Sequence, residues 1–285
     1  MDLTNKQNIQ ALLKKHGLKP RKGLGQNFLV NPQVLEKLIA TAEINIKDTV
    51  LEIGPGTGAI TQALAQKAKR VIAVEKDREM VKILKETLKG FENIEIICDD
   101  IRRSDLPLNF GGDPTSQKYK VVGNLPFYLT APVIRMFLEM SEAKPHSLTL
   151  VVQKEVAQRI CAKPPKMSIL ANSVQFYADP ELISVIPKES FFPQPKVDAA
   201  IIKITPNGSR TVLDPSNKDL FFKIMKAGFS HPRKQLLNNL AQELKKSRED
   251  VAAWLQKNNI NPKQRAETLG VDDWIRLAKS YKINQ

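Results

Sequence analysis

Glu52-Ile53-Gly54-Pro55-Gly56-Thr57-Gly58 is the stretch on which the fold turns. Residues 49–53 read as an apolar strand, and residues 59–67 read as a helix. Glycines between them permit a tight turn and let a ligand approach the backbone. The helix N-terminus beyond favours polar or anionic groups. The Gly-x-Gly-x-Gly spacing differs from the Gly-x-Gly-x-x-Gly pattern of dinucleotide sites, which counts against a dehydrogenase.

Working outward, strands and helices alternate. Strands are expected at 70–75, 94–98, 119–123 and 147–153, and helices at 78–89, 131–140, 154–161 and 167–177. Asn31-Pro32 starts an earlier helix as cap and first-turn residue. The runs 181–186 and 199–204, separated by a proline-rich loop, read as a closing antiparallel pair. Between 102 and 118 lies a polar loop with the turn run Gly111-Gly112-Asp113-Pro114. This pattern predicts an α/β domain with a mostly parallel, doubly wound sheet and an antiparallel closing strand. After Asn207-Gly208-Ser209 the periodicity is helical only, over 218–228, 233–244, 248–258 and 272–281. The expected division is a basic N-terminal arm at 1–30, a catalytic domain at 31–206 and a small all-α domain at 207–285.

Composition narrows the classes. Of the 285 residues, 42% are hydrophobic, enough for a true core. No apolar run reaches membrane-span length, and the N-terminus has no apolar signal core. Cys98 and Cys161 form no Cys-x-x-Cys pair, so reduced thiols in a cytoplasmic protein are expected and a metal site is not. The net charge is +14. Residues 1–30 carry six Lys/Arg against one Asp, and residues 208–285 carry fifteen against eight Asp/Glu. A near-neutral middle with basic ends suits a polyanion gripped by the ends.

The site residues follow from the strand ends. Glu75 closes the next strand, twenty-one residues after Gly54, where a carboxylate binds the ribose hydroxyls of an adenosine. Asp100 follows the third strand and is the choice for the adenine amine over its neighbour Asp99. Asn124 follows the fourth, within Gly123-Asn124-Leu125-Pro126-Phe127. An exocyclic adenine amine is a weak nucleophile because its lone pair is delocalised into the ring. Acceptors on both N–H bonds make the nitrogen more reactive. The Asn124 side-chain carbonyl offers one, and the Leu125–Pro126 turn offers a backbone carbonyl, since Pro126 has fixed φ and no N–H. Phe127 is expected to stack on an extruded base. S-adenosylmethionine, an adenosine without a pyrophosphate, suits the same rim.

The sequence resembles the ribosomal RNA adenine dimethyltransferase family nearly end to end. The resemblance is carried by Gly25-Gln26-Asn27-Phe28-Leu29, Leu51-Glu52-Ile53-Gly54-Pro55-Gly56, Val74-Glu75-Lys76-Asp77 and Val122-Gly123-Asn124-Leu125-Pro126. It continues through Gln153-Lys154-Glu155-Val156-Ala157, Phe192-Pro193-Gln194-Pro195-Lys196-Val197-Asp198 and Arg233-Lys234-Gln235-Leu236-Leu237-Asn238-Asn239-Leu240. It implies a class I S-adenosylmethionine-dependent methyltransferase, Rossmann-like in fold, whose cofactor set is Asn27, Leu29, Gly54, Gly56, Glu75, Lys76, Asp100 and Asn124. The family's bacterial small-subunit branch is the most similar. That implies dimethylation of N6 on two adjacent adenosines in the 3′-terminal hairpin of 16S rRNA, on an immature 30S subunit, by a monomer. Lys14, Lys15, Lys19, Arg21, Lys22, Arg233 and Lys234 are the expected RNA contacts. Phe127 stands where tyrosine is more familiar, and Cys98-Asp99-Asp100 replaces a Gly-Asp pair. Alternatives are a resistance-type enzyme acting on 23S rRNA and a non-catalytic RNA-binding assembly or transcription factor on the same fold.

Overall fold

A computed structural model describes residues 1–103, 119–140, 144–207 and 215–281. The expected turn run at 111–114 and most of the expected linker at 207–209 fall outside them. The chain divides into two compact units, Met1–Ala157 with Pro180–Pro206, and Gln158–Asp179 with Asn207–Gln285.

The first unit is built on a seven-stranded sheet. In chain order the elements up to Pro206 are α1 (Lys6–Lys15), β1 (Phe28–Leu29), α2 (Pro32–Ala42), β2 (Thr49–Ile53), α3 (Ala59–Ala65), β3 (Arg70–Glu75), α4 (Arg78–Thr87) and β4 (Ile94–Cys98). They continue with β5 (Tyr119–Asn124), α5 (Thr130–Arg135), β6 (Ser147–Gln153), α6 (Lys154–Ile160), α7 (Ile169–Tyr177), β7 (Ala178–Ile186), β8 (Phe191–Phe192) and β9 (Ala199–Pro206). Helices α6 and α7 and strand β7 reach into or lie within the second unit's residues. The strand order is β4-β3-β2-β5-β6-β9-β7. Pairs β2–β3, β3–β4, β2–β5 and β5–β6 are parallel, and β6–β9 is antiparallel. From β2 the chain winds one way to β3 and β4, then crosses back to β5 and β6. The switch point lies between β2 and β5, where Ile53 is opposite Gly123. Ligands of open α/β sheets bind outside the carboxyl ends of the strands at such a point.

Sequence chemistry explains the local elements. Residues Val50–Ile53 and Val71–Glu75 are all buried, as strands covered on both faces must be. Each fully buried leucine or isoleucine there stabilises by roughly 1.5–3 kcal/mol. Asp77 caps α4 by accepting from the Glu79 N–H at 3.1 Å. The helix then buries Met80, Ile83 and Leu84 at helical spacing. After β5 the chain does not enter a plain α-helix. A 3-10 turn (Phe127–Leu129) leads into α5, which runs on as a π-helix (Met136–Met140).

The N-terminal arm differs from the expectation. Its basic composition hides an amphipathic helix, α1, capped by Asn5, whose side chain accepts from the Gln7 and Asn8 N–H groups. Ile9, Leu12 and Leu13 share one face and pack in a core cluster with Phe28, Met80 and Ile83. The arm is therefore part of the catalytic unit. Strand β1 is fastened further on, pairing antiparallel with β8 so that Phe28 faces Phe192 and Leu29 faces Phe191.

The second unit is helical, with Ile169–Tyr177, Pro215–Gly228, Leu236–Leu244, Arg248–Lys257 and Val271–Tyr281. Its core holds Phe176, Phe221 and Trp274, all nearly inaccessible. Phe176 stacks on Phe221 with centroids 4.3 Å apart. This contact explains why 158–179 groups with the C-terminal helices rather than with the domain expected at 31–206. The helix expected to begin at 233 begins at Leu236. Arg233 and Lys234 lie exposed in the preceding turn, where the Lys234 N–H donates to the His231 carbonyl.

Candidate active site

A cleft open to solvent lies at the switch point. Its floor is the glycine loop. Gly54 and Gly56 take φ of +66° and +58°, a region that other residues seldom enter. The Gly54 N–H donates to the Val74 carbonyl at 3.0 Å, which ties the loop to β3.

Glu75 is 8% exposed at the end of β3. Its Oε1 accepts from the Asp77 N–H at 2.8 Å and its Oε2 from the Gly56 N–H at 3.2 Å. Burial raises its pKa, and the two backbone donors oppose that rise. The carboxylate is thus fixed in orientation, with lone pairs left for a ligand's hydroxyls. Beyond it, Asp100 is held in a fork by Arg102, at 3.0 Å from Nε and 2.6 Å from Nη2. Lys76 Nζ approaches the same carboxylate at 3.1 Å. The Arg102 hydrogen bond keeps Asp100 well below the usual carboxylate range. Asp99 and Asp100 both line the cleft, and the Asp100 N–H donates to Asp99 Oδ1 at 2.7 Å. A Cβ at Gly56 would come within 3.1 Å of the Phe28 ring, so the loop and β1 are in close contact. The glycine cradle, the buried acceptor at Glu75 and the acidic pair at 99–100 fit S-adenosylmethionine.

Across the cleft stands Asn124, at the end of β5. Its Nδ2 donates to the Asn27 backbone carbonyl at 2.8 Å. With the amide nitrogen so engaged, Oδ1 is the acceptor the side chain presents. Gly25 backs this arrangement. It has φ +64°, and a Cβ there would fall 2.9 Å from Pro126 Cβ. The Pro126 carbonyl accepts from the Leu129 N–H at 2.8 Å, which leaves the Leu125 carbonyl as the turn's second acceptor. Leu125 itself is buried, and its N–H donates to the Val151 carbonyl at 3.1 Å.

The structure therefore brings Asn27, Leu29, Gly54, Gly56, Glu75, Lys76, Asp100, Asn124 and Pro126 to one cleft. Leu125 lies outside the lining, and Phe127 is not brought there either. That residue is half-buried and outside the lining, while its neighbour Tyr128 lines the mouth. The 3-10 turn is the cause, because successive side chains in it point about 120° apart. Sequence reasoning also passed over Glu52. It is 0% exposed on β2, with neither carboxylate oxygen hydrogen-bonded. Burial pushes its carboxyl up to about 8, and the charge of Glu75 adds to the rise. The pattern of β2 held the signal, since Glu52 sits within an otherwise apolar, fully buried strand.

The basic residues are less uniform than their sequence suggests. Lys15 pairs with Glu86 at 2.6 Å, and Arg21 pairs with Asp77 at 3.1 Å. Lys14 and Lys19 are exposed, and Lys22 begins the turn Lys22–Leu24. Among the described residues no cluster of His, Cys, Asp and Glu has a metal-binding arrangement, and no helix is long and apolar enough to cross a membrane.

Comparison with known proteins agrees with this geometry. The family model described as "Ribosomal RNA adenine dimethylase" matches residues 17–282. "Ribosomal RNA small subunit methyltransferase A" of Dehalococcoides mccartyi (strain CBDB1) is 43% identical over 96% of this chain and 93% of its own length. The protein of the same name from Enterococcus faecalis (strain ATCC 700802 / V583) is 38% identical over 100% and 98%. Among solved structures, a dimethyladenosine transferase from Plasmodium falciparum matches with TM-score 0.74 at 26% identity, over 90% of this chain and 97% of that one. The 23S rRNA methyltransferase ErmE matches with TM-score 0.73 at 25% identity, over 90% and 100%. On the cleft at the β2–β5 switch point and on these matches together, the chain belongs to the ribosomal RNA adenine dimethylase family.

Proposed function

We propose that this protein dimethylates N6 of two adjacent adenosines in the 3′-terminal hairpin of 16S rRNA, acting as a cytoplasmic monomer on immature small subunits. The observation that carries the chemistry is the Asn124 Nδ2 bond to the Asn27 carbonyl, which leaves Oδ1 as the acceptor that Asn124, a residue of the cleft lining, has to offer. The choice of small-subunit RNA is supported by the names of the relatives that align over nearly the whole chain.

S-adenosylmethionine, when bound, supplies a methyl group already activated by the sulfonium. The chain's own residues then do three things. Gly54, Gly56 and Glu75 fix the donor's place. Asn124 Oδ1 and the Leu125 carbonyl accept from the two N–H bonds of the entering amine, drawing its lone pair out of ring conjugation. The buried Leu125 and the fixed ring of Pro126 hold those acceptors still, so catalysis is mainly positioning. No strong base is needed, and the amine proton passes to solvent. The singly methylated amine keeps one N–H for one of the acceptors in the second transfer.

Labelled methyl transfer to unmethylated 30S and 50S particles, followed by nucleoside analysis and site mapping, tests this reading. N6,N6-dimethyladenosine at two neighbouring 16S positions is expected. Label on 23S RNA would transfer the reading to the resistance-type alternative, and RNA binding without any transfer would favour the non-catalytic one. RNA grip is proposed to come from Lys14, Lys15, Lys19, Arg21 and Lys22 in the first unit and from Arg233 and Lys234 in the second. Replacing Lys14 and Lys19, or Arg233 and Lys234, with glutamine should lower the slope of log affinity against log salt by about 1–2. An unchanged slope removes that pair from the interface.

A further inference from the structure

The mouth of the cleft carries an aromatic ring that the chemistry above leaves idle. Tyr128 is 49% exposed and lines the opening. A single exposed aromatic residue is ordinary. Its surroundings are not. Lys76, also half-exposed, lines the same cleft. An exposed π face with a cation lining the same cleft has the chemistry to hold a nucleotide, with the ring against the base and the cation near the phosphate.

Depth decides which nucleotide. The reacting amine must reach Asn124 Oδ1, at the sheet end beside the glycine loop. Tyr128 stands four residues later, after the turn has brought the chain out to the surface. A base flipped into the cleft passes this ring, and the neighbouring base that stays in the strand comes to rest beside it. We propose that Tyr128 forms the subsite for the nucleotide flanking the extruded adenosine. The proposal rests on the adenine-N6 reading and assigns a task to a residue outside the reacting set.

The test uses the full chain with Tyr128→Ala and Tyr128→Phe. The fluorescent base 2-aminopurine is placed in a target hairpin, in turn at the reacting position and at the flanking positions. Steady-state kinetics on the RNA and calorimetric binding of S-adenosylmethionine accompany it. In the parent protein, a flanking probe should be quenched on binding. Tyr128→Ala should abolish that quenching and raise KM for RNA about tenfold, or ~1.4 kcal/mol. Its kcat and donor affinity should stay within about threefold of the parent (~0.65 kcal/mol). Tyr128→Phe, which keeps the π face, should behave as the parent. The proposal is overturned if only the probe at the reacting position responds, if donor affinity falls while KM for RNA holds, or if neither changes. A parent protein that transfers no methyl to adenine N6 would instead defeat the underlying reading, and the parent assay reports that separately.

Discussion

The two halves of the cleft are built in different ways. The donor half is made mostly by the sheet: Gly54 and Gly56 follow β2, Glu75 ends β3 and Asp100 follows β4, with Asn27 and Leu29 lining the same cleft. Its key carboxylate is oriented by the backbone N–H groups of Gly56 and Asp77. The acceptor half depends on a segment from elsewhere. Asn124 is aimed by the carbonyl of Asn27, 97 residues earlier in the chain, and Pro126 rests against Gly25. A donor site made this way comes with the fold. An acceptor site made this way exists only when the N-terminal segment is seated.

The sharpest way to break that comparison is Asn124→Ala. It removes the acceptor aimed at the amine and leaves the sheet ends alone. Methyl transfer should fall by about 10²–10³, as for loss of one preorganised polar group elsewhere. S-adenosylmethionine affinity, measured by calorimetry, should change far less. Equal losses in both would mean the halves are not separable.

Gly25→Ala tests the borrowed support more gently. Its Cβ would press on Pro126 from 2.9 Å, at a φ that alanine tolerates poorly. A displacement of this size costs roughly 10²-fold in rate when it moves a positioned group by about 1 Å. We expect kcat to drop by about that factor or somewhat less, with donor binding reduced only a fewfold. A variant with parental kcat would show that the acceptor half stands without the arm.

Glu52→Gln is the smallest effect and probes the donor half. Folding keeps a proton on Glu52 up to about pH 8, whereas the unfolded chain releases it near 4.5. The folded state then binds more protons, so stability declines as pH rises between those values. Glutamine removes the titration. The Tm advantage of the variant over the parent should grow steadily between pH 5 and pH 8. A difference independent of pH would mean the buried carboxyl does not titrate there.

Much of the donor half was legible in the sequence because its residues occupy fixed places at strand ends. Strand–helix alternation located Glu75, Asp100 and Asn124 without any knowledge of side-chain contacts. What sequence could not give was orientation. That Phe127 turns away and Tyr128 faces the opening depends on a 3-10 turn, which has no strong composition signal. The arm's helix was readable from Ile9, Leu12 and Leu13, yet the surrounding lysines masked its apolar stripe. The allegiance of 158–179 to the C-terminal helices rests on aromatic contacts between distant residues, such as Phe176 with Phe221. Local periodicity carries no trace of such contacts.

The short pairing of Phe28 with Phe192 has a consequence for how the enzyme comes into being. It joins positions far apart in the chain, and the Val30 N–H adds a bond to the Ser190 carbonyl at 2.8 Å. Long loops must close before such contacts reward the chain, so they form late. A polypeptide still emerging from its ribosome already holds the sheet-end residues of the donor half once β4 and Asp100 have been made. It cannot latch the strand that aims Asn124 until residue 192 has been made. Synthesis itself therefore delays competence toward RNA until almost the whole catalytic unit exists.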